Sequence, residues 1–330
     1  MSSIATTTPA RSESQLKYLM TPRILLGGGL LLLILALCYG SLFWTAQPTG
    51  TFSYQSRNNE LAKTDGYDGV SPRLGGDARV WFGTDHFGRS VLARCLFGGT
   101  ISLGVGVSAA AIAVFLGVSI GLISGYRGGW IDTLLMRSVD ILYGLPYVLL
   151  VLLFKIALEP PLLSLFRSIP SLGIASHASQ ITSFVVMFLA IGLVSWLTMA
   201  RVIRAQVMSL RGQPFIEAAR AVGLPGWRIF LRHVLPNLVG PITVYATLTV
   251  PSAMLQESFL SFLGVGIDQT LPTWGSLASE YRTKSLAIDG PRWWMLGFPV
   301  ILLALTLLSL NFLGDGLRDL FDPKREAAKL

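Results

Sequence analysis

The run EAARAVGLPGWRIFLRHVLPN, residues 217–237, places three arginines and a single carboxylate in a chain that is 52% hydrophobic and only 13% charged. Its local grammar is that of two short helices joined by a tight turn. Pro214, just upstream, is tolerated in the first turn of a helix, and Glu217 falls in that turn, where a carboxylate complements the helix dipole. Ala218, Ala219, Arg220 and Ala221 continue the helix, and Gly223 can take the left-handed conformation that stops one. Leu224, Pro225 and Gly226 then make the turn, and a second helix is expected from Trp227 to its end at Pro236. His233 lies in that helix and Asn237 just beyond it. Three alanines on so short a helix leave a thin surface suited to insertion into a groove on another protein.

Two other readings fit a basic helical hairpin. The arginines of an amphipathic segment beside a membrane can hold it on anionic lipid. A DNA-binding helix-turn-helix has similar helices, turn and charge. Apolar stretches begin within a few residues of both ends of this hairpin, however, so duplex DNA would have little access and no nucleic-acid partner is expected.

Those apolar stretches define the class. A chain of 330 residues with mean hydropathy +0.59 is not a water-soluble domain. About 20 residues of helix cross the hydrocarbon of a bilayer, and six intervals qualify: 24–44, 101–123, 141–158, 181–200, 238–256 and 293–314. The sequence therefore predicts an all-α membrane protein of six transmembrane helices embedded in a lipid bilayer. The first interval resembles a signal peptide, but its basic leader is long and no small-x-small site precedes Gln47 and Pro48, so it reads as an uncleaved anchor. The third is short; Lys155 near its end is expected to snorkel, and Pro146 to kink it.

Positive charge sets the orientation. Between the fourth and fifth intervals lie Arg201, Arg204, Arg211, Arg220, Arg228 and Arg232 against Glu217, a net +5 of the chain's +8. Residues 47–97 hold six basic residues and five acids, and residues 264–292 three of each. The hairpin side is therefore cytosolic, and an even number of spans puts both termini there too. The expected division is a cytosolic tail at 1–23, a first transmembrane helix at 24–46 and an extracytoplasmic segment at 47–97. A five-helix core follows at 98–314, containing the cytosolic hairpin 214–237, then a cytosolic tail at 315–330.

Chemistry is sparse. The two cysteines, Cys38 and Cys95, make no CxxC, and His86, His177 and His233 have no metal-ligand spacing, so neither redox chemistry nor a metal is expected. None of the six lysines lies in a GxxxxGK[ST] context, so the chain has no phosphate cradle. Residues 117–121 satisfy GxSxG and residues 104–109 satisfy GxGxxA, but both lie inside a span, without the strand-turn-helix setting either chemistry needs. The better account of this region is packing. Ala109, Ala113, Gly117, Gly121 and Gly125 recur every fourth residue, a small-residue ribbon for close contact with the chain's own bundle or another subunit. The fifth interval carries Thr243, Tyr245, Thr247, Thr249 and Ser252 with Pro241 and Pro251, and closes on Glu257. Thr243, Thr247, Ser252 and Glu257 are the candidates for a polar transport path. Residues 272–275 and the pair Trp293 and Trp294 read as anchors at the outer interface.

The hairpin resembles the EAA loop of the permease subunits of bacterial binding-protein-dependent ABC transporters. Glu217, Ala218 and Ala219, then Gly223, then Leu235, Pro236 and Asn237 fall at the spacing of that motif. FGTDHFGRSVLARCLFGGTISL (82–103), GYRGGWIDTLLMRSVDILYGLP (125–146), FLGVGIDQTLPTWGSLASE (262–280) and NFLGDGLRDLFDPK (311–324) look like the second permease subunit of dipeptide, oligopeptide and nickel importers. Ser90 stands where that family usually has Asp, Thr100 where it often has Arg, and residues 159–180 form a longer outer loop. The resemblance implies a type I ABC importer permease fold in the bacterial cytoplasmic membrane. It also implies a homologous second permease, two cytosolic ATPase subunits that carry the nucleotide chemistry, and an extracytoplasmic solute-binding protein. Glu217, Ala218, Ala219, Arg220, Gly223, Pro225, His233, Pro236 and Asn237 would couple the permease to the ATPases, and no cofactor is implied. Short peptides are the implied cargo, with nickel or another small solute as the alternative. A channel or secondary transporter working alone is the reading from another class.

Overall fold

The computed structural model describes residues 22–47, 52–57, 69–75, 77–169, 174–267, 270–285 and 292–321. Most of the expected N-terminal tail, through residue 21, and residues 322–330 of the expected C-terminal tail lie outside the described residues, as do parts of the segment 47–97 and of the loop 159–180. The chain is almost wholly helical: α1 Pro22–Gly40, α2 Val91–Arg127, α3 Gly129–Tyr143, α4 Tyr147–Arg167, α5 Ala178–Arg211, α6 Pro214–Ala221, α7 Gly226–Phe262, α8 Trp274–Ser285 and α9 Trp293–Phe321. Among the described residues six helices are long and apolar enough to cross a membrane, α1, α2, α4, α5, α7 and α9.

The most extensive helix pair is α2 with α5, and its sequence explains why. A Cβ on Gly117 would stand 2.5 Å from Met199 Cβ, one on Gly121 2.6 Å from the Ala200 carbonyl oxygen, and one on Gly125 2.8 Å from Val207 Cβ. On the other side Gly192 of α5 lets Ala109 and Ile112 of α2 approach. Ala109 and Ala113 are buried in the same line. The small-residue ribbon thus faces α5 of its own chain, and backbones meet where side chains would hold them apart. Elsewhere α7 packs on α2, and α1 on α9, where Gly27 receives Phe312 and Gly316 receives Ile24.

Several expected boundaries move. The third span is not 141–158: α3 ends at Tyr143, Gly144 caps it, and Pro146 is the residue before α4, so the chain breaks there instead of kinking. Residues before proline avoid the helical region, and proline is well placed at a helix entry. The apolar run continues instead to Arg167, through Pro160 and Pro161. Lys155 does not snorkel outward; its ammonium donates to the carbonyls of Val265 and Gly266, at 2.7 and 2.6 Å, just past the end of α7.

The helix after the hairpin turn does not stop at Pro236 either. A π-type turn at Phe230–Val234, with the Leu235 amide donating to the Phe230 carbonyl, widens the ladder immediately before Pro236. That widening relieves the clash proline would make with the carbonyl four residues back, and α7 runs on into its span. Because it ends at Phe262, Glu257 lies inside it and not at its edge. Trp274 is fully buried and Trp294 nearly so, its indole N–H donating to the Thr84 carbonyl; of the expected interface anchors Trp293 is exposed.

The α2–α5 contact predicts an asymmetric response to small substitutions. Gly121→Val should lower the thermal unfolding midpoint of the detergent-solubilised protein by several degrees, since overpacking costs about 1–3 kcal/mol. Gly29→Ala, where an added Cβ meets nothing within 4 Å, should leave it level or raise it. Equal midpoints for the two variants would show that the close approach is not what holds the pair.

Candidate functional site

The hairpin is built as a clamped plug. Its first helix, α6, has Pro214 at its start and Glu217 in its first turn. It ends in a Schellman arrangement: the Gly223 amide donates to the Arg220 carbonyl at 2.9 Å and the Leu224 amide to the Ala219 carbonyl at 3.2 Å. This closure needs a left-handed residue, and Gly223 has φ +81°. Pro225, extended, starts α7. Ile216, Ala219, Ile229 and Val234 form the inner face, buried with Met199, Ile203 and Val207 of α5. The Tyr126 hydroxyl at the end of α2 donates to the Gly226 carbonyl, and Arg211 Nη1 donates to the Gly125 carbonyl at 2.9 Å. The hairpin is therefore seated on the hairpin-side end of the α2–α5 pair.

Its other face is open. Glu217, Ala218, Arg220, Gly223, Pro225, Pro236 and Asn237 are exposed, and His233 is half-buried, near the Phe215 ring. Val222 is 82% and Trp227 62% exposed, with Phe215 and Leu231 also outward. Apolar tips standing among arginines on a rigid base give a knob that another protein could cover.

A second feature lies at mid-length of the bundle. A cavity of about 590 Å³ opens between α4, α5 and α7 and is walled at one end by Leu142 and Tyr143 of α3. Its polar lining is uncharged: Tyr147, Ser195, Thr198, Tyr245, Thr249, Ser252 and Gln256. Gln256 Oε1 accepts from the Tyr147 hydroxyl at 2.5 Å and from Ser195 Oγ at 3.5 Å. Thr249 and Ser252 spend their hydroxyl protons on carbonyls one turn back, those of Tyr245 and Leu248. Of the four residues expected on a polar path, Ser252 lines this cavity. Thr243 and Thr247 bond the carbonyls of Val239 and Thr243 and are not among its lining residues.

Glu257 is elsewhere. Fully enclosed, it accepts from Ser261 Oγ at 2.7 Å and from Ser258 and Ser102 Oγ at 3.3 Å, while Ser102 in turn receives the Trp274 amide at 3.2 Å. Gly275 and Gly266 lie against Ser258 and Ser261 so closely that a Cβ would collide with them. The carboxyl ties α7 to α2 and to the start of α8, and is not among the residues lining the cavity. Tyr147, Ser195 and Gln256 escaped sequence reading because they come from three different helices and no spacing in the chain shows that they meet.

Comparison with known proteins decides the class. Residues 117–327 match the family described as binding-protein-dependent transport system inner membrane component. The dipeptide transport system permease protein DppC of Bacillus subtilis is 40% identical over 244 residues, 74% of this chain and 68% of that protein. The oligopeptide transport system permease proteins OppC of Haemophilus influenzae and Escherichia coli K12 are 41% and 43% identical over the same length, covering 70% and 72% of those proteins. The chain belongs to this family of binding-protein-dependent permeases. It is a multi-pass inner membrane protein. Among solved structures, the inward-facing MetNI methionine ABC transporter overlays at a TM-score of 0.44 with 19% identity, over 66% of this chain and 94% of that one; the family assignment does not depend on it.

At the opposite end of the permease from the hairpin, the loop before α2 is locked by charge. Asp85, wholly buried, accepts from the amides of Phe87 and Arg89, from Arg89 Nε at 2.6 Å, from Arg94 Nη1 at 3.2 Å and from the Tyr281 hydroxyl at 3.1 Å. Glu280 of α8 receives both guanidinium groups, Arg89 at 2.5 Å and Arg94 at 2.8 Å. Ser90 caps α2, accepting from the Ala93 amide. The motif 82–103 thus does its work through α8, some 190 residues later in the chain.

Burial alone would push the Glu280 carboxyl up, but the paired guanidinium groups hold it below its ordinary 4.5. Its contribution to stability is therefore whole at neutral pH and is lost as pH falls from 4.5 through the lowered value. Breaking a buried pair on one side costs about 3–5 kcal/mol, so Arg94→Gln should lower the unfolding midpoint clearly at pH 7. The deficit should narrow as pH falls below 4.5 toward the lowered value of Glu280. A deficit unchanged across that range would assign the cost to packing instead.

Proposed function

We propose that the chain is the membrane-spanning subunit of an ATP-driven importer of short peptides, and that the hairpin 214–237 is the contact through which ATPase subunits drive it. The observation that carries this reading is the two-faced hairpin: one face clamped by Ile216, Ala219, Ile229 and Val234 onto α5, the other presenting Val222, Trp227 and the exposed Glu217, Ala218 and Arg220. Peptide cargo is supported by relatives at 40–43% identity named for dipeptide and oligopeptide transport. The partners are a homologous second permease, two cytosolic ATPases and an extracytoplasmic binding protein; this subunit hydrolyses nothing itself. The net +5 of residues 201–237 supports a cytosolic hairpin. Both termini then lie in the cytosol, with 47–97 and 264–292 outside.

The mechanism is one of differential contact. Nucleotide binding changes the separation of the two ATPases, and only an interface that differs between their states can pass that free energy on. Seated through Tyr126 on the end of α2 and through Ile216, Ala219, Ile229 and Val234 on α5, the hairpin delivers a displacement directly to the helix pair at the centre of the bundle.

Gly223→Pro and Glu217→Lys test the coupling. At φ +81° Gly223 holds a conformation that proline cannot adopt, so the turn must rearrange. Both variants should insert in the membrane at normal levels while peptide uptake by the assembled transporter falls at least tenfold. Uptake at the wild-type rate in either variant would count decisively against the hairpin as the drive contact.

A further inference from the structure

The cavity between α4, α5 and α7 lies at mid-length of α5 and α7, and no charged residue is among those lining it. Around its apolar floor converge Tyr147, Ser195, Thr249, Ser252 and Gln256, from three helices. In a membrane bundle polar residues are expensive unless satisfied, and here their local bonds leave specific capacity over. Thr249 and Ser252 donate to their own helix, leaving their oxygen lone pairs as acceptors. Gln256 accepts through Oε1 from Tyr147 and Ser195, which orients its side-chain amide so that the N–H groups remain the donating end. The wall thus offers neutral acceptors and donors, and no charged residue is among those lining it. Its volume falls in the range of small-ligand sites, about 300–1,000 Å³.

We propose that this cavity is a holding station for the cargo in transit, which takes the peptide backbone by neutral hydrogen bonds to Gln256, Ser252 and Thr249 and leaves side-chain charge unread. This rests on the peptide-importer reading above and assigns it residues. A backbone amide meets an acceptor and a donor that every peptide can use. A cargo side chain of either sign meets only uncharged dipoles, so neither sign is favoured. Selection by side chain then belongs to the binding protein, and the membrane step is permissive by construction. The enclosed Glu257, held by its serines, is not among the residues lining the cavity and gives the cargo no direct contact with a carboxylate.

The test is a reciprocal charge swap at Ser252, which is exposed on the cavity side of α7. The assembled transporter, purified through this chain with its partners and placed in proteoliposomes, is given Ala-Asp-Ala and Ala-Lys-Ala at saturating binding protein, and the ratio of the two uptake rates is read within each preparation. The ratio does not depend on how much protein folds. Wild type should give a ratio within about threefold of one. Ser252→Asp should depress acidic against basic peptide by about tenfold and Ser252→Lys should do the opposite, as expected for a fixed charge a few ångströms from the cargo in a partly wetted site. Ratios unmoved in both variants would overturn the station and assign the cavity to packing against the sister permease. A strongly charge-selective wild type would overturn the neutral-wall reading. A wild type that moves neither peptide, although its ATPase responds to binding protein, would remove the peptide reading and the station with it.

Discussion

Between Ala109 and Gly125 the backbone of α2 comes so close to α5 that positions 117, 121 and 125 have no room for a Cβ. In lipid there is little hydrophobic gain from bringing two apolar helices together, so contact of this kind, backbone against backbone over several turns, is what makes one pair of helices stay together rather than exchange. The rest of the molecule is arranged around that pair. Both helices are longer than the roughly 30 Å of hydrocarbon requires, at 37 and 34 residues. Their ends therefore project beyond it, and each projecting end carries a structure. At one end Arg94 of α2 holds the Asp85 loop and α8. At the other, Tyr126 of α2 and the apolar face of Met199, Ile203 and Val207 of α5 hold the hairpin, while Arg211 ties α5 to α2 beside it.

The polar groups of the bundle sort by how their cost is met. Arg94 and Asp85 are charged and enclosed, and they are matched: two guanidinium groups, two carboxylates and the Tyr281 hydroxyl close on one another. Glu257 has three serine hydroxyls within reach and serves as a joint among α7, α2 and α8. Asp132 of α3 is held by Arg204, whose hydrogen bonds keep its carboxyl below the usual range, and by Ser124. The polar residues of the cavity are accessible, and they are neutral. An apolar medium tolerates a charge only where it is paired and a dipole wherever it is bonded. A wall made for passing cargo can therefore be built from hydroxyls and amides without destabilising the bundle around it.

Sequence reading reached the features written locally. The hairpin's stop at Gly223 and its turn at Pro225 follow from backbone rules within a few residues, and the ribbon from Ala109 to Gly125 follows from one helical period. Five of the six spans announced themselves through uncharged length. What it misplaced depended on context. Pro146 reads as a kink or a break with equal ease until the capping of α3 by Gly144 is seen. Pro236 reads as a terminator because nothing local betrays the π-type turn that makes room for it. Glu257 looked like a span end because what encloses it beyond its neighbours Ser258 and Ser261, Ser102 of α2 and the start of α8, is distant in the chain. The cluster of Asp85, Arg94, Glu280 and Tyr281 and the group of Tyr147, Ser195 and Gln256 were invisible for the same reason: each needs three separate helices or loops to meet.

This arrangement limits how the bundle can change shape. The α2–α5 seam cannot slide without driving Gly121 and Gly125 into the carbonyls and β-carbons of Ala200, Ile203 and Val207, so the pair moves as one body or not at all. Two ion pairs, Asp132 with Arg204 and Asp140 with Arg201, bind α3 to the same body, and the hairpin is seated on its end. The α4 and α7 sides of the cavity are different. Across that gap the contacts are a tyrosine hydroxyl, a serine hydroxyl and a glutamine amide, which can exchange partners with water or cargo at little net cost. A displacement applied at the hairpin would therefore be conserved along α2 and α5 and absorbed where α4 and α7 border the cavity. The surface that must yield for the bundle to switch is the same surface that is chemically suited to hold what passes through it.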